Sequence, residues 1–85
     1  MAKYKIEIKR SAIKELYKLP KTVLPRILQK IDLLTENPRP QNCVKLSGQE
    51  KYRIRVGNYR ILYSIFDNKL VIFVVKIAHR KNVYK

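Results

Sequence analysis

The sequence predicts an α+β fold in which two N-terminal helices pack on one face of an antiparallel sheet, in the order β-α-α-β-β-β. Three observations support it. Residues 4–9 alternate with a period of two, residues 11–34 have helically spaced apolar residues, and residues from about 44 onward are strand-like around a Gly57-Asn58 hairpin signal. The 85 residues, 46% of them hydrophobic, suffice for a single domain spanning residues 1–85 with one modest core.

The first strand and helix are predicted within residues 4–20. The strand is expected to place three side chains on one face: Tyr4, Ile6 and Ile8. Ser11 offers an N-cap hydroxyl, and Glu15 lies close enough to interact favourably with the positive end of the helix. The helix must stop near Pro20. Its buried side chains are expected to be Ile13, Leu16 and Tyr17.

The second helix is predicted to end at the segment 37–40, Asn-Pro-Arg-Pro. Its apolar stripe consists of Leu24, Ile27, Leu28, Ile31 and Leu34. Pro25 fits the first turn if Thr22 is the N-cap, because the missing N–H costs little there. The alternatives are a later start or a kink. The two helices are expected to form an antiparallel pair that covers one face of the sheet.

The Gly57-Asn58 turn fixes the predicted register of the first hairpin. With a two-residue turn, Val56 opposes Tyr59, and the residue numbers of each opposed pair sum to 115. Arg55 therefore opposes Arg60. The alternate positions form an apolar face, where Ile54 opposes Ile61 and Tyr52 opposes Tyr63.

A three-residue loop at 67–69 is predicted for the second hairpin, because a two-residue loop would place Lys76 on the apolar face. This register opposes Ile65 with Val71. The helix-covered face would then contain two rows across the strands, Tyr52, Tyr63, Phe73 and Ile54, Ile61, Val75.

The open face of the sheet is predicted to carry cations. Arg55, Arg60 and Lys76 lie side by side across three strands, with Arg53 and Lys51 further along the same edge. Each like-charged pair opposed across strands costs about 0.2–1 kcal/mol, so the row indicates an anion site. The alternative is that the long cationic side chains extend into water and bind no ligand. An apolar patch on the same face would be covered by a protein partner or buried by curling of the sheet: Leu62, Phe66, Leu70, Ile72 and Val74.

The composition restricts the partners and the chemistry. Twenty Lys and Arg against six Asp and Glu give a net charge of +14, which favours nucleic acid as a partner. One Cys and one His do not make a structural zinc site, and the sequence has no carboxylate pair, P-loop or Ser-His-Asp set. We therefore expect no metal and no cofactor. No apolar run is long enough for a membrane span and no secretory signal is evident, so we expect a cytoplasmic protein that does not bind membranes.

Without a metal, an enzyme that acts on phosphate needs an internal nucleophile, such as the 2′-hydroxyl of RNA, and arginines that stabilise charge at phosphorus. The C-terminal residues leave the last strand near Lys76, which would bring His79 close to the cationic row. Histidine ordinarily titrates near neutrality, so His79 is the candidate proton donor or acceptor, the alternative being a structural histidine. Tyr84 is either a phenolate favoured by neighbouring cations or a packing anchor.

Five segments in this order carry a resemblance to a known family: Leu19-Pro20, Lys45-Leu46-Ser47-Gly48, Tyr52-Arg53-Ile54-Arg55, Asn58-Tyr59-Arg60-Ile61-Leu62-Tyr63 and His79-Arg80-Lys81-Asn82-Val83-Tyr84. On these segments the whole chain resembles RelE-type toxins of the RelE/ParE superfamily. The resemblance implies a ribosome-dependent mRNA endonuclease of a type II toxin–antitoxin system. It also implies a small acidic antitoxin as partner, which would cover the cationic face and the apolar patch.

The resemblance further implies which residues form the site. The family's basic residues and its tyrosine fall on Arg53, Arg55, Arg60, Arg80 and Tyr84. The scissile phosphate of an mRNA in the ribosomal decoding site would be held by Arg53, Arg55 and Arg60. Tyr84 would help to activate the 2′-oxygen, and His79 or Arg80 would assist the leaving group. The lysines expected to bind RNA are Lys45, Lys51, Lys76, Lys81 and Lys85.

Two other functions stay open on the sequence alone. A ParE-like protein would inhibit DNA gyrase by binding it, without catalysis, since the superfamily shares one fold. A passive RNA-binding module would bind with a steep salt dependence and would not cleave.

Overall fold

A computed structural model describes residues 3–46 and 51–79. The elements are β1 (Lys5–Ile8), α1 (Arg10–Tyr17), α2 (Leu24–Leu34), β2 (Val44–Lys45), β3 (Lys51–Val56), β4 (Tyr59–Phe66) and β5 (Val71–His79). The strands form one sheet in the order β1-β5-β4-β3-β2. The predicted α+β class is confirmed.

The sheet differs from the prediction at its two edges. β2 is an additional strand of two residues that pairs with β3, and β1 pairs in parallel with β5, so the sheet is mixed rather than antiparallel. Because β1 and β2 lie at opposite edges, the two helices between them carry the chain across one face of the sheet. No helix within residues 3–46 and 51–79 covers the other face, which we call the open face.

Helix α1 begins earlier than the sequence predicts. Lys9 rather than Ser11 occupies the N-cap position, and the helix buries Ala12 and Leu16. Ile13 is 38% exposed and Tyr17 is 84% exposed, so their predicted burial was wrong. The reason is geometric: each lies one residue, or about 100°, around the helix from the pair that faces the sheet.

Helix α2 has Pro25 in its first turn, as predicted, but its N-cap residue is Val23 and not Thr22. The helix buries three residues of the predicted stripe, Ile27, Ile31 and Leu34. Leu28 is 46% exposed and lies outside the core. The buried stripe is therefore narrower than the sequence pattern suggests.

The first hairpin has the predicted register from the Val56–Tyr59 pair to the Lys51–Ser64 pair. Gly57 has a φ of 58°, a left-handed conformation that glycine adopts without the steric penalty of a Cβ. The opposition of Arg55 to Arg60 is confirmed.

The predicted register of the second hairpin was wrong. Phe66 pairs with Val71, so the loop has four residues, 67–70, and ends on Leu70 with a φ of 54°. A β-bulge further along leaves Val75 as an extra residue and shifts the register again, so that Ile61 pairs with Ile77. A four-residue loop and a bulge were not apparent in the apolar pattern.

This shift changes which face the side chains of β5 occupy. Ile72 and Val74 are fully buried under the helices, so their predicted exposure in an antitoxin-binding patch was wrong. Phe73 and Val75, predicted for the core, are half-buried. The core between helices and sheet contains Ala12, Leu16, Ile27, Ile31, Leu34, Ile54, Val56, Ile61, Tyr63, Ile72, Val74 and Ile77.

No helix within residues 3–46 and 51–79 combines the length and apolar character needed to cross a membrane.

Two neighbouring residues of α2 allow a direct test of this packing. Ile27 is fully buried, whereas Leu28 is 46% exposed. We expect Ile27→Ala to lower the free energy of unfolding by about 2–5 kcal/mol, because it removes buried methyl groups and leaves a cavity. Leu28→Ala, the matched control, should cost about 1 kcal/mol or less. Urea unfolding measures both, and equal losses would contradict the assigned helix face.

Candidate nucleic-acid interface

Three arginines of the first hairpin share the open face of the sheet. Arg55 opposes Arg60, and Arg53 opposes Leu62. Their neighbours Ile54 and Ile61 are fully buried on the helix-covered face, so the arginines must lie on the other side of the sheet. The hairpin thus gathers three guanidinium groups on one surface.

The three arginines differ in exposure. Arg55 is exposed, Arg53 is half-buried, and Arg60 is only 6% exposed. Charged groups are seldom buried to this extent unless the surroundings compensate them. The side chain of Arg60 is therefore enclosed by the protein, whereas the side chain of Arg55 is accessible from solvent.

Two of these arginines, Arg53 and Arg55, line a groove beside β3. It has a volume of about 410 Å³ and is lined by Asn42, Val44, Arg53, Arg55 and Gly57. Val44 on the edge strand β2 opposes Arg53 and forms one wall. Guanidinium groups bind phosphate through two parallel hydrogen bonds, so this groove can hold a phosphodiester.

The predicted row of Arg55, Arg60 and Lys76 is not continuous. Arg60 opposes Ala78, and Lys76 opposes Leu62, one position further along. The reason is the shifted register of β5. Lys76 lies on the open face as well, but its Nζ forms an ion pair of 3.3 Å with Oε2 of Glu15 on α1. Its charge is therefore partly neutralised by Glu15.

Glu15 performs a role that the sequence did not indicate. Its Oε1 accepts a hydrogen bond of 2.9 Å from the backbone N–H of Ile77. The pairing of β1 with β5 ends at Ile8 and Val74, so Ile77 lies on a stretch of β5 that β1 does not cover. Glu15 therefore connects α1 to the uncovered edge of the sheet.

His79 does not join the arginines. It pairs with Tyr59 at the end of β5, and the two rings make an edge contact with centroids 5.2 Å apart. Tyr59 packs against the core on the helix-covered side, and alternation along the strand places His79 on that side too. His79 lines a groove with Lys76, as predicted, but its predicted proximity to the arginines of the cationic row was wrong.

The remaining predicted residues have varied positions. Lys51 opposes Ser64 on the open face, whereas Lys45 opposes Tyr52 and belongs to the other face. Of the predicted apolar patch, Leu62 is half-buried, Phe66 is 43% exposed and Leu70 is 39% exposed. Four predicted site residues lie outside the described residues: Arg80, Lys81, Tyr84 and Lys85.

A polar cluster holds the segment between α2 and β2 against the sheet. Arg39 forms an ion pair of 2.8 Å with Asp67, and its Nε donates to the hydroxyl of Tyr52 at 3.2 Å. Tyr4 donates to the same aspartate at 2.6 Å. A second attachment is the 2.7 Å hydrogen bond from Tyr63 to the carbonyl oxygen of Pro38. These contacts position the segment that supplies Asn42 and Val44 to the groove.

The cluster shifts the pKa values of its members. The hydrogen bonds that Asp67 accepts from Arg39 and Tyr4 hold the pKa of its carboxyl below the ordinary value of 3.8. The hydrogen bond to Asp67 raises the pKa of Tyr4. The pKa of the neighbouring Tyr63 is raised chiefly by burial rather than by this cluster. Sequence reasoning missed this cluster, because its members are distant along the chain and share no motif.

Within residues 3–46 and 51–79, no three metal-ligating side chains of His, Cys, Asp or Glu come together.

Comparison with known proteins identifies the class. The family model for the ParE toxin of the type II toxin–antitoxin system parDE matches residues 6–84. The chain is 32% identical over 81 residues to the mRNA interferase toxin RelE of Escherichia coli K12, covering 92% of this chain and 84% of that protein.

Solved structures agree with the sequence comparisons. The fold matches the archaeal RelE–RelB complex from Pyrococcus horikoshii OT3 with a TM-score of 0.84 and 32% identity, covering 98% of this chain and all of that one. It matches the intact E. coli RelBE toxin–antitoxin complex with a TM-score of 0.79 and 32% identity, over 89% of this chain and 95% of that one. The chain therefore belongs to the ParE toxin family of type II toxin–antitoxin systems and, within the RelE/ParE superfamily, is of the RelE type. The resemblance inferred from the sequence is confirmed.

The Asp67 cluster predicts a dependence of stability on acid. A carboxyl whose pKa is lowered by folding stabilises the protein fully above its unfolded value of 3.8, and this contribution is lost as the pH falls through the folded pKa. We expect wild type to be more stable than Asp67→Asn at neutral pH, and the difference to vanish in acid. Chemical unfolding at a series of pH values measures it. A difference that persists unchanged in acid would show that the charge of Asp67 is not the cause.

Proposed function

We propose that this chain is a ribosome-dependent mRNA endonuclease, the toxin of a type II toxin–antitoxin system, and that it cleaves without a metal. The observation that carries the proposal is the opposed pair Arg55 and Arg60 beside the groove of Arg53. Like charges opposed across strands destabilise a sheet by about 0.2–1 kcal/mol, so their grouping indicates a ligand of opposite charge. The similar protein from E. coli K12 is named an mRNA interferase toxin.

In the proposed mechanism the 2′-hydroxyl of RNA attacks the adjacent phosphorus. Arg53 and Arg55 hold the non-bridging oxygens of the scissile phosphate in the groove. Arg60 lies beneath them in surroundings with little water, where its charge stabilises the developing negative charge more strongly than in bulk solvent. The products are a 2′,3′-cyclic phosphate and a 5′-hydroxyl.

The C-terminal residues are assigned to the attacking and leaving oxygens. Tyr84 accepts the proton of the attacking 2′-hydroxyl, and Arg80 stabilises the negative charge of the departing 5′-oxygen. A water molecule supplies the proton of the 5′-hydroxyl product, because a guanidinium does not give up a proton at neutral pH. The contact of His79 with Tyr59 on the helix-covered face favours Arg80 over His79 at the departing oxygen. Neither Tyr84 nor Arg80 is a strong general acid or base at neutral pH, so much of the rate must come from the positioning of mRNA by the ribosome in the cytoplasm.

An acidic antitoxin is the proposed protein partner. The similar structures include RelE–RelB and RelBE complexes. A net charge of +14 attracts an acidic chain, and Phe66, Leu70 and Leu62 offer apolar contacts near the open face. Binding there would cover the arginines and suppress cleavage.

The competing function is inhibition of DNA gyrase by binding. The matching family model is named for ParE toxins, so the fold alone does not separate the two functions. The grouped arginines and the RelE relatives favour RNA cleavage. We expect gyrase to supercoil DNA normally in the presence of this protein. Inhibition of supercoiling together with intact mRNA on ribosomes would favour the competing function.

Arg55 offers the sharpest test of the arginine site, because it is exposed and its replacement should leave the fold intact. We expect Arg55→Gln to slow cleavage of ribosome-bound mRNA by about 100- to 1,000-fold, as loss of an electrostatic stabiliser does. Lys69→Gln, which removes an exposed charge at the opposite end of β4, should cleave at the wild-type rate. Primer extension on programmed ribosomes measures both. Equal rates for the two variants would remove Arg55 from the site.

The nucleophile has its own test. An mRNA with a single 2′-deoxy nucleotide on the 5′ side of the scissile phosphate should resist cleavage completely, because the attacking oxygen is missing. The matched all-ribose mRNA should be cut to a product with a cyclic phosphate end. Cleavage of the deoxy substrate at the same position would mean that water, and not the 2′-hydroxyl, is the nucleophile.

A further inference from the structure

A second groove lies on the other side of the Gly57 turn. It has a volume of about 370 Å³ and lies between α2 and the end of β3. Its lining residues are Arg26, Gln29, Lys30, Leu33, Arg55, Val56 and Gly57. Arg55 and Gly57 also line the groove proposed to hold the scissile phosphate, so the two grooves meet at this turn.

Arg26 lies directly over the turn. Its two terminal nitrogens are 3.5 and 3.7 Å, and its guanidinium carbon 3.9 Å, from the position that a β-carbon on Gly57 would occupy. The guanidinium of Arg26 therefore lies against the turn, and it lines the same groove as Arg55. The turn brings a cation of α2 to a cation of the sheet.

The second groove carries a concentration of positive charge. In the part of the chain that the structure describes, neither Arg26 nor Arg55 forms an ion pair. None of the described residues that line the groove is acidic, and Lys30 adds a third positive charge. Leu33, 50% exposed, supplies an apolar surface beside them. Three cations around one groove without an acid favour an anionic ligand.

We propose that the second groove binds the phosphodiester backbone of the RNA strand that flanks the scissile phosphate. The strand would leave the open face, pass over the Gly57 turn and continue along α2, contacting Arg26 and Lys30. Backbone phosphates suit guanidinium and ammonium groups, and Leu33 can pack against a sugar or base. This inference rests on the proposed function, because it extends the same RNA track from Arg55.

The test compares two double variants with the same change in charge. Arg26→Gln with Lys30→Gln removes the second groove's cations. Lys5→Gln with Lys69→Gln removes two exposed cations near the opposite end of β4. The probe is a labelled single-stranded RNA of about twelve nucleotides, long enough to span both grooves. Fluorescence anisotropy over a series of salt concentrations gives the affinity and its salt dependence.

The groove variant should bind this RNA more weakly than the control, with a slope of log K against log salt that is shallower by about 0.7 for each lost phosphate contact. Both variants should bind a trinucleotide equally, since it reaches only the first groove. Should the double variant fail to fold, Arg26→Gln alone can be tested, because Arg26 is exposed and its replacement should leave the fold intact. Its slope should be shallower by about 0.7, the value for one lost phosphate contact.

Equal slopes for the groove variant and the control would overturn the inference. The inference would also be overturned if the groove variant bound a polyglutamate peptide more weakly than the control does but bound the RNA equally well. The groove would then be a site for an acidic protein segment. The proposed function is tested separately by the Arg55→Gln cleavage assay. If Arg55→Gln slows cleavage but the groove variant and its control have equal salt slopes, only the RNA-binding role of the second groove is rejected. If Arg55→Gln cleaves at the wild-type rate, the proposed active site is rejected.

Discussion

The left-handed backbone of Gly57 is the constraint on which the rest of the site depends. It permits a two-residue turn, and that turn sets every pair of the β3–β4 hairpin. Side chains alternate along a strand, so a slip of one residue would move the arginines into the core and Ile54 and Ile61 to the surface. The apolar face and the cationic face are therefore two consequences of one turn. The guanidinium of Arg26 lies against the same glycine, and the two grooves meet there.

The two hairpins mark how far the fold could be predicted from the sequence. Gly57 and Asn58 specify a turn chemically, so the register of the first hairpin followed from the residues alone. The second hairpin has a four-residue loop that ends on Leu70 in a conformation unusual for a branched side chain, and a bulge at Val75. The residues of β5 are apolar on both faces from Val71 to Val75, so the apolar pattern does not select one register over the other.

The candidate site was predictable in the part that depends on the first hairpin. Arg53, Arg55 and Arg60 share a face as expected. The pairing of Lys76 with Leu62, and the location of His79 on the face opposite the arginines, both depend on the bulge in β5. No residue near the bulge predicts it from the sequence. The cluster of Arg39 and Asp67 joins a loop to a turn 28 residues away along the chain, and side-chain hydrogen bonds of this range leave no periodicity in a sequence. The burial of Arg60 likewise results from packing rather than from residue type.

The convergence of arginines on RNA can be observed directly by NMR. The Nε–Hε signals of arginine report contact with phosphate, and the protein can be titrated with a single-stranded RNA without ribosomes, so that binding is separated from cleavage. The signals of Arg53 and Arg55 should shift together, while that of Arg10, at the start of α1, should stay in place. Shifts confined to arginines outside the β3–β4 hairpin, with Arg53 and Arg55 unmoved, would contradict the assignment of this face as the RNA site.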